Sequence, residues 1–395
     1  MNIMPVSMPK DINKYFFNRT KDIDLINTYL STVKLDIPPQ LLITGYRGVG
    51  KTFLLRKILN DLNSDILTVF IDISEISGRR KGELTEEKVL KELLNQISKT
   101  ISSNKKFYKK WINIIESNLK KLGLKNYHFP ENSNVLDIPI PVISDNYDKL
   151  SKFVMELPQK IVDSSDDING FIIVIDEFQL LKNLKKPDAF FWLIRSFTQK
   201  QFNVGYVFTG SVSKTSDIIT MINGPEGAFG GRLVQINIDP FTFEETKRYL
   251  DEKSNNLKFT EDGFKRFYSC TRGIPLYINT LSSVLPNNNV CDENTIIETI
   301  IFNIDQIAVM WIYIWGRLSP GEKEFIIYLL ENEDVTRTDL DKNLGYSKST
   351  VTRFIDSLSN QGIIEFNHDK HFVLADSMLA LWLKTKFENT GYYPI

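Results

Sequence analysis

Histidine is almost missing from this chain, with three in 395 residues, and cysteine is nearly as scarce, with two. His368 and His371 stand close together, but no other ligand type clusters beside them, so a surface turn explains them better than a metal site. Cys270 and Cys291 form no C-x-x-C pair and no disulfide framework, which favours a reduced, cytoplasmic setting. Charge of either sign is balanced to a net −1, so no global field draws the chain to nucleic acid or anionic lipid. Long hydrophobic runs are missing too. The most apolar stretch, Ile301 to Trp315, is short and carries Asn303, Asp305 and Gln306, and the N-terminus lacks a basic-then-apolar leader pattern. No membrane segment is expected, and no repeat of 20 to 50 residues is present.

The remainder is of ordinary globular composition, 42% hydrophobic and 25% charged, and long enough for two or three domains. Its most informative stretch is Gly45-Tyr46-Arg47-Gly48-Val49-Gly50-Lys51-Thr52, which fits G-x-x-x-x-G-K-[ST], the phosphate-binding loop of nucleoside triphosphatases. An apolar strand, Leu41 to Ile43, precedes it. A helical pattern follows through Phe53, Leu54, Leu55, Ile58 and Leu59. Glycines bring backbone N–H groups close to phosphate oxygens, and the helix N-terminus adds unpaired donors. Lys51 would meet the β- and γ-phosphates of ATP, and Thr52 would place its hydroxyl on Mg²⁺. A second element, Phe171 to Ile175 followed by Asp176-Glu177, reads as a buried parallel strand with carboxylates at its carboxyl end. Asp176 would hold the Mg²⁺, directly or through water, and Glu177 would act as general base on the attacking water.

Leu67 to Asp72, Tyr206 to Ser211 and Leu233 to Ile238 read as further strands, completing a five-stranded parallel sheet covered by helices within residues 1–240. Helices are expected at Lys21 to Leu30, Ala189 to Lys200 and over 79–125, with Lys105, Lys106, Lys109 and Lys110 on a solvated face. Residues 122–145, with Pro130, Pro139 and Pro141, read as an irregular hairpin, so 79–150 forms a variable excursion. Residues 241–316 read as an all-helical lid, opened by the capping box Thr242 to Glu245 and broken at Gly273 and Pro275. Residues 317–395 read as a winged helix-turn-helix: three helices capped at Ser319 and Ser347 and punctuated by Gly345 and Gly362, then two short strands around a polar turn.

In this order the pieces resemble the archaeal-type ATPases, a STAND-class family of P-loop NTPases related to the AAA+ ATPases. The resemblance runs from Phe17 to about Leu383. It implies an AAA+-like α/β core with helical lid and winged helix, ATPase activity, and ATP/ADP and Mg²⁺ as cofactors; in a switch, limiting conformational steps would make that ATPase slow. Residue by residue, it implies that Phe17-Asn18-Arg19 is an N-terminal arginine motif near base and ribose. Phe208 to Ser211 resembles a sensor strand whose Ser211 or Thr209 reads the γ-phosphate or water. Gly230-Gly231-Arg232 makes Arg232 a γ-phosphate sensor or arginine finger, in cis or in trans. Gly273-Ile274-Pro275 resembles the G-x-P element whose proline packs on adenine, with Arg272 in reach of the phosphates.

Two functions follow as expectations. One is a nucleotide-driven molecular switch, in which hydrolysis resets the core and lid. The other is a DNA-binding ATPase that presents Lys348, Ser349, Thr352 and Arg353 to duplex DNA through residues 337–373. Asp339, Asp341 and Asp356 offset those cations, and winged helices also serve as packing modules, for a homo-oligomer or a protein partner. A scaffold that has lost hydrolysis is disfavoured because Lys51, Thr52, Asp176 and Glu177 are all present. A metabolic kinase would not need the winged helix.

Overall fold

The computed structural model describes residues 7–79, 83–103, 147–211, 217–254, 256–286, 289–367 and 369–394. The expected hairpin over 122–145, the lysine cluster at 105–110 and His368 lie outside these residues.

Five strands form one parallel sheet: β1 (Gln40–Thr44), β2 (Ile66–Asp72), β3 (Gly170–Asp176), β4 (Val204–Thr209) and β5 (Val234–Asn237), in the order β2-β3-β4-β1-β5. β3 lies second in the sheet and is buried at all seven positions, which is why it reads as an unbroken apolar run and not as an alternation. The register sets Asp72 beside Asp176 and Asp176 beside Thr209, so the polar ends of three strands meet at one edge of the sheet. β5 lies at the sheet's edge, with Val234 and Gln235 exposed. β4 ends two residues earlier than the sequence suggests. Gly210 still donates to the Ile43 carbonyl at 3.2 Å, and it packs so tightly on Gln179 that a Cβ there would sit 2.1 Å from Gln179 Oε1.

Helices cover both faces. Thr20–Ser31 and Lys51–Asp61 pack on one side, burying Ile26, Leu30, Leu54, Leu55 and Ile58. Glu86–Ser103, Tyr147–Asp163 and Pro187–Thr198 pack on the other. The helix Tyr147–Asp163 is not foreseen in the sequence reading, which ends its variable excursion at residue 150 and draws nothing from 151–163. Leu150, Phe153, Val154, Leu157 and Ile161 recur at helical spacing and are all buried. Pro158, inside the helix, disguises the pattern by costing one backbone hydrogen bond.

Beyond Pro240 come helices Phe243–Lys253, Glu261–Thr271, Pro275–Val284, Glu293–Ile307 and Val309–Trp315. This stretch is not wholly helical: β6 (Lys258–Phe259) and β7 (Val290–Cys291) pair in parallel. Then follow helices Pro320–Glu331, Arg337–Asn343 and Lys348–Asn360, an antiparallel hairpin of β8 (Ile364–Phe366) and β9 (Phe372–Leu374), and helix Ser377–Thr390. Thr242 with Glu245 and Ser319 with Glu322 form complete capping boxes, each cap contributing about 1 kcal/mol. One continuous apolar core runs from Phe241 to Leu383, joining Phe267, Trp311, Phe325 and Trp382 across residue 316. No described helix is long and apolar enough to cross a membrane.

Candidate nucleotide site

The glycine-rich loop joins β1 to the helix Lys51–Asp61, and its backbone explains its composition. Gly45, Gly48 and Gly50 take φ of +146°, +81° and +97°, where side chains are disfavoured. A Cβ on Gly45 would sit 2.4 Å from the carbonyl oxygen of Ile238, and one on Gly48 would sit 2.7 Å from the Leu276 side chain. Gly50 caps the helix without any side-chain bond, so the loop ends on main-chain donors, as an anion-binding helix start requires.

Lys51 is 5% exposed, and its ammonium donates to the carbonyls of Gly45 and Tyr46 (both 2.9 Å) and to Ser211 Oγ (3.0 Å). Burial lowers its pKa to about 8, against the opposing pull of Glu177 and Asp176. Thr52 Oγ1 donates to Asp176 Oδ2 at 2.7 Å, joining the helix start to the end of β3. Burial raises Asp176 to about 6, with the Thr52 bond opposing and the Glu177 charge adding to the rise. This pair is a hydroxyl and a carboxylate, the hard-oxygen set that suits Mg²⁺ when phosphate and water complete the shell. Among the described residues no group of three His, Cys, Asp or Glu offers a fuller metal cage. Glu177 sits at φ +53°, a left-handed conformation costing a non-glycine residue about 1 kcal/mol or more. Its backbone N–H donates to Asp176 Oδ1, and its carboxylate accepts from Gln179 Nε2. The turn aims Glu177 into the cleft beside Lys51, Thr52 and Ser211.

That cleft holds about 300 Å³ and is lined by Arg47 to Leu54 on one side and by Pro275, Leu276 and Asn279 on the other. Its far end is aromatic: Tyr15, Phe16, Phe17, Phe241 and Tyr249 line it, with Phe16 stacked on Phe53 at 5.8 Å. A buried polar pair, Tyr249 Oη donating to Asn279 Oδ1 at 2.8 Å, stands at that end. Sequence reasoning passed over Tyr15, Phe16, Tyr249 and Asn279. Only the aromatic run before Arg19 offered a signal, because the other two belong to helices whose approach is tertiary.

The remaining expected residues divide. Arg19 lines the cleft, but its guanidinium serves as a clamp. It donates to the carbonyls of Asp239 (2.6 Å) and Val49 (3.1 Å) and stacks over Phe241 at 4.7 Å. Burial lowers its pKa, while Asp22 beside it pulls the other way. Pro275 stands in the wall, and Leu276 N donates to the Gly48 carbonyl at 3.2 Å, so this turn rests on the phosphate loop itself. Gly273, at φ +73°, admits no side chain there: a Cβ would lie 1.8 Å from the Phe241 carbonyl oxygen. Ser211 lines the cleft, whereas Thr209 is fully buried behind it. Arg272 faces a different cleft, shared with Tyr46 and Tyr268. Arg232 is exposed beside β5, donates to the Phe229 carbonyl, and does not line the nucleotide cleft.

Comparison with known proteins shows the family and the fold. A family model described as an ATPase domain predominantly from Archaea matches residues 16–281. The Walker-type ATPase PABY2304 of Pyrococcus abyssi is similar in fold, with a TM-score of 0.66 at 20% identity over 95% of this chain and 98% of that one. The ORC2 protein of Aeropyrum pernix in its ADP form gives 0.50 at 11% identity, over 97% of this chain and 95% of that one. No curated protein matches the sequence.

Proposed function

Because the chain belongs to the family of ATPase domains found predominantly in Archaea, we propose that it is a Mg²⁺-dependent ATPase working as a slow conformational switch. The observation that carries this reading is the Thr52–Asp176 hydrogen bond, with Lys51 and Glu177 lining the same cleft. Lys51 and the main-chain donors of Gly48 to Thr52 bind the β- and γ-phosphates of ATP. Thr52 and Asp176 hold Mg²⁺, whose chemistry there is neutralising phosphate charge. Glu177 takes the proton of the attacking water, Ser211 senses the γ-phosphate, and Pro275 packs on the base beside the aromatic end. Arg19 keeps the N-terminal arm on the loop. Arg232, exposed at the sheet edge, suits a role toward a second copy more than one within its own cleft.

We read the parts as a core (1–240), a lid (241–316) and a winged helix (317–395), the last two sharing one apolar core. The lid's contact with Gly48 supports a switch, because a change at the loop reaches Leu276 directly. Two buried free cysteines suit a reducing, cytoplasmic setting. The test is phosphate release from ATP by the full chain. It should require Mg²⁺ and vanish in Glu177→Gln while ATP stays bound. Equal turnover by Glu177→Gln would remove the base assignment.

A second reading, a DNA-binding ATPase, draws on exposed Lys348, Thr352 and Arg353 at the start of helix Lys348–Asn360. Arg337 is tied to Asp341 and to the Lys348 carbonyl, which weakens that face as a phosphate binder. Salt-dependent binding of duplex by the full chain, reduced by Arg353→Glu, would favour it. No binding at low salt would exclude it.

A further inference from the structure

Tyr46 is the second residue of the phosphate loop, and its side chain leaves the loop altogether. Its hydroxyl donates to Glu365 Oε2 at 2.8 Å. Glu365 is the middle residue of β8, so this bond joins the phosphate loop to the C-terminal hairpin. Burial and the neighbouring carboxylate push the phenol's ionisation upward, so it remains the donor. Arg272 and Asp239 are the other charges acting on it.

The backbone of the same residue does different work. The Tyr46 carbonyl accepts from Lys51 Nζ at 2.9 Å and from the Val49 N–H at 3.3 Å. One residue therefore touches the hairpin with its ring and the loop's lysine with its carbonyl. The C-terminal segment meets the core at another place as well. Helix Lys348–Asn360 packs on Asp217–Asn223, just beyond Ser211, and Ser211 is the hydroxyl that accepts from Lys51.

We propose that Glu365 is a positioning residue for the phosphate loop. By holding the Tyr46 hydroxyl it fixes the carbonyl on which Lys51 rests, and so sets how long the loop retains a nucleoside diphosphate. The proposal rests on the reading of this cleft as a nucleotide site. Hydrogen bonds to a carboxylate are among the stronger kind, and losing the acceptor leaves a half-buried hydroxyl unpartnered. A hairpin that moved away would release Tyr46 and loosen the loop at its lysine.

The experiment is stopped-flow release of a fluorescent ADP analogue from the full chain, with the melting temperature of each variant measured alongside. Tyr46→Phe and Glu365→Ala should each speed release by about tenfold, and the double variant should be no faster than either. Glu365→Gln, which keeps an acceptor oxygen, should stay nearer the unsubstituted chain. Release rates that do not change while melting temperature falls would reduce the bond to a staple and overturn the proposal. Additive effects would do the same. A wild-type chain that binds no analogue would instead overturn the nucleotide-site reading beneath it.

Discussion

Two buried charges decide how the cleft works at the level of single residues. On the proposed reading, Asp176 must be ionised to hold Mg²⁺, and Lys51 must be protonated to hold phosphate. Asp176 is raised to about 6 and Lys51 lowered to about 8 in the free protein. For folding the signs follow. The carboxylate's cost sets in as pH rises past 3.8 and is complete above about 6. The ammonium's sets in as pH falls below 10.5 and is complete below about 8. Between about 6 and 8 both charged forms therefore cost stability in full. The proposed reaction needs that costly window. A profile of kcat/KM against pH should therefore be bell-shaped, falling below about 6 and above about 8. A flat profile from pH 5 to 9 would contradict both assignments. Glu177→Gln should lower kcat by about 100-fold or more, because the amide cannot accept the water's proton, and should leave ATP binding intact. Single-turnover hydrolysis beside equilibrium binding separates the two effects.

Elements place these residues by the ends they bring together. β1, β3 and β4 finish at one sheet edge, so the loop converges with the Asp176-Glu177 turn and Ser211, although Thr52 lies 124 residues from Asp176 and Lys51 lies 160 from Ser211. Much of this is legible in the sequence. Apolar β-branched runs ending in polar residues identify buried parallel strands, and glycine spacing identifies the loop. The capping residues Thr242, Ser319 and Ser347 stand where the helices begin. What stays hidden is tertiary. Tyr249 and Asn279 look like ordinary helix residues until two helices bring them together, and Pro158 conceals a helix whose packing overrides its cost. The direction of a side chain is hidden too: Arg272 is adjacent to Gly273 in sequence, yet it opens on another cleft. The turn at Gly273 gives a prediction at this scale. Gly273→Ala forces a Cβ onto the Phe241 carbonyl at a positive φ, so it should cost more than about 1 kcal/mol and weaken nucleotide binding as Pro275 shifts. Chemical denaturation with nucleotide titration checks it, and a neutral effect on both would contradict the packing.

Across the whole molecule, the lid and the C-terminal helices share one core from Phe241 to Leu383, stitched by a buried polar chain. Trp311 Nε1 donates to Tyr277 Oη at 2.6 Å, and Tyr277 donates to Asp376, the cap of the last helix. These helices should therefore unfold in a single calorimetric transition. Separate melting of 241–316 and 317–395 would contradict a continuous core. The sheet meets this body at the cleft, where Gly48 touches Leu276, and again outside it, where Tyr46 touches Glu365. A nucleotide bound in the cleft would lie against both parts. Whether the cleft holds nucleotide is thus the claim on which the rest depends. Calorimetric titration of ADP with Mg²⁺ into the wild-type chain and into Lys51→Ala tests it most directly. The account predicts saturable one-to-one binding to the wild type and at least about tenfold weaker binding to Lys51→Ala, for loss of a charge-assisted phosphate contact. No binding by the wild type, or equal binding by both chains, would contradict it.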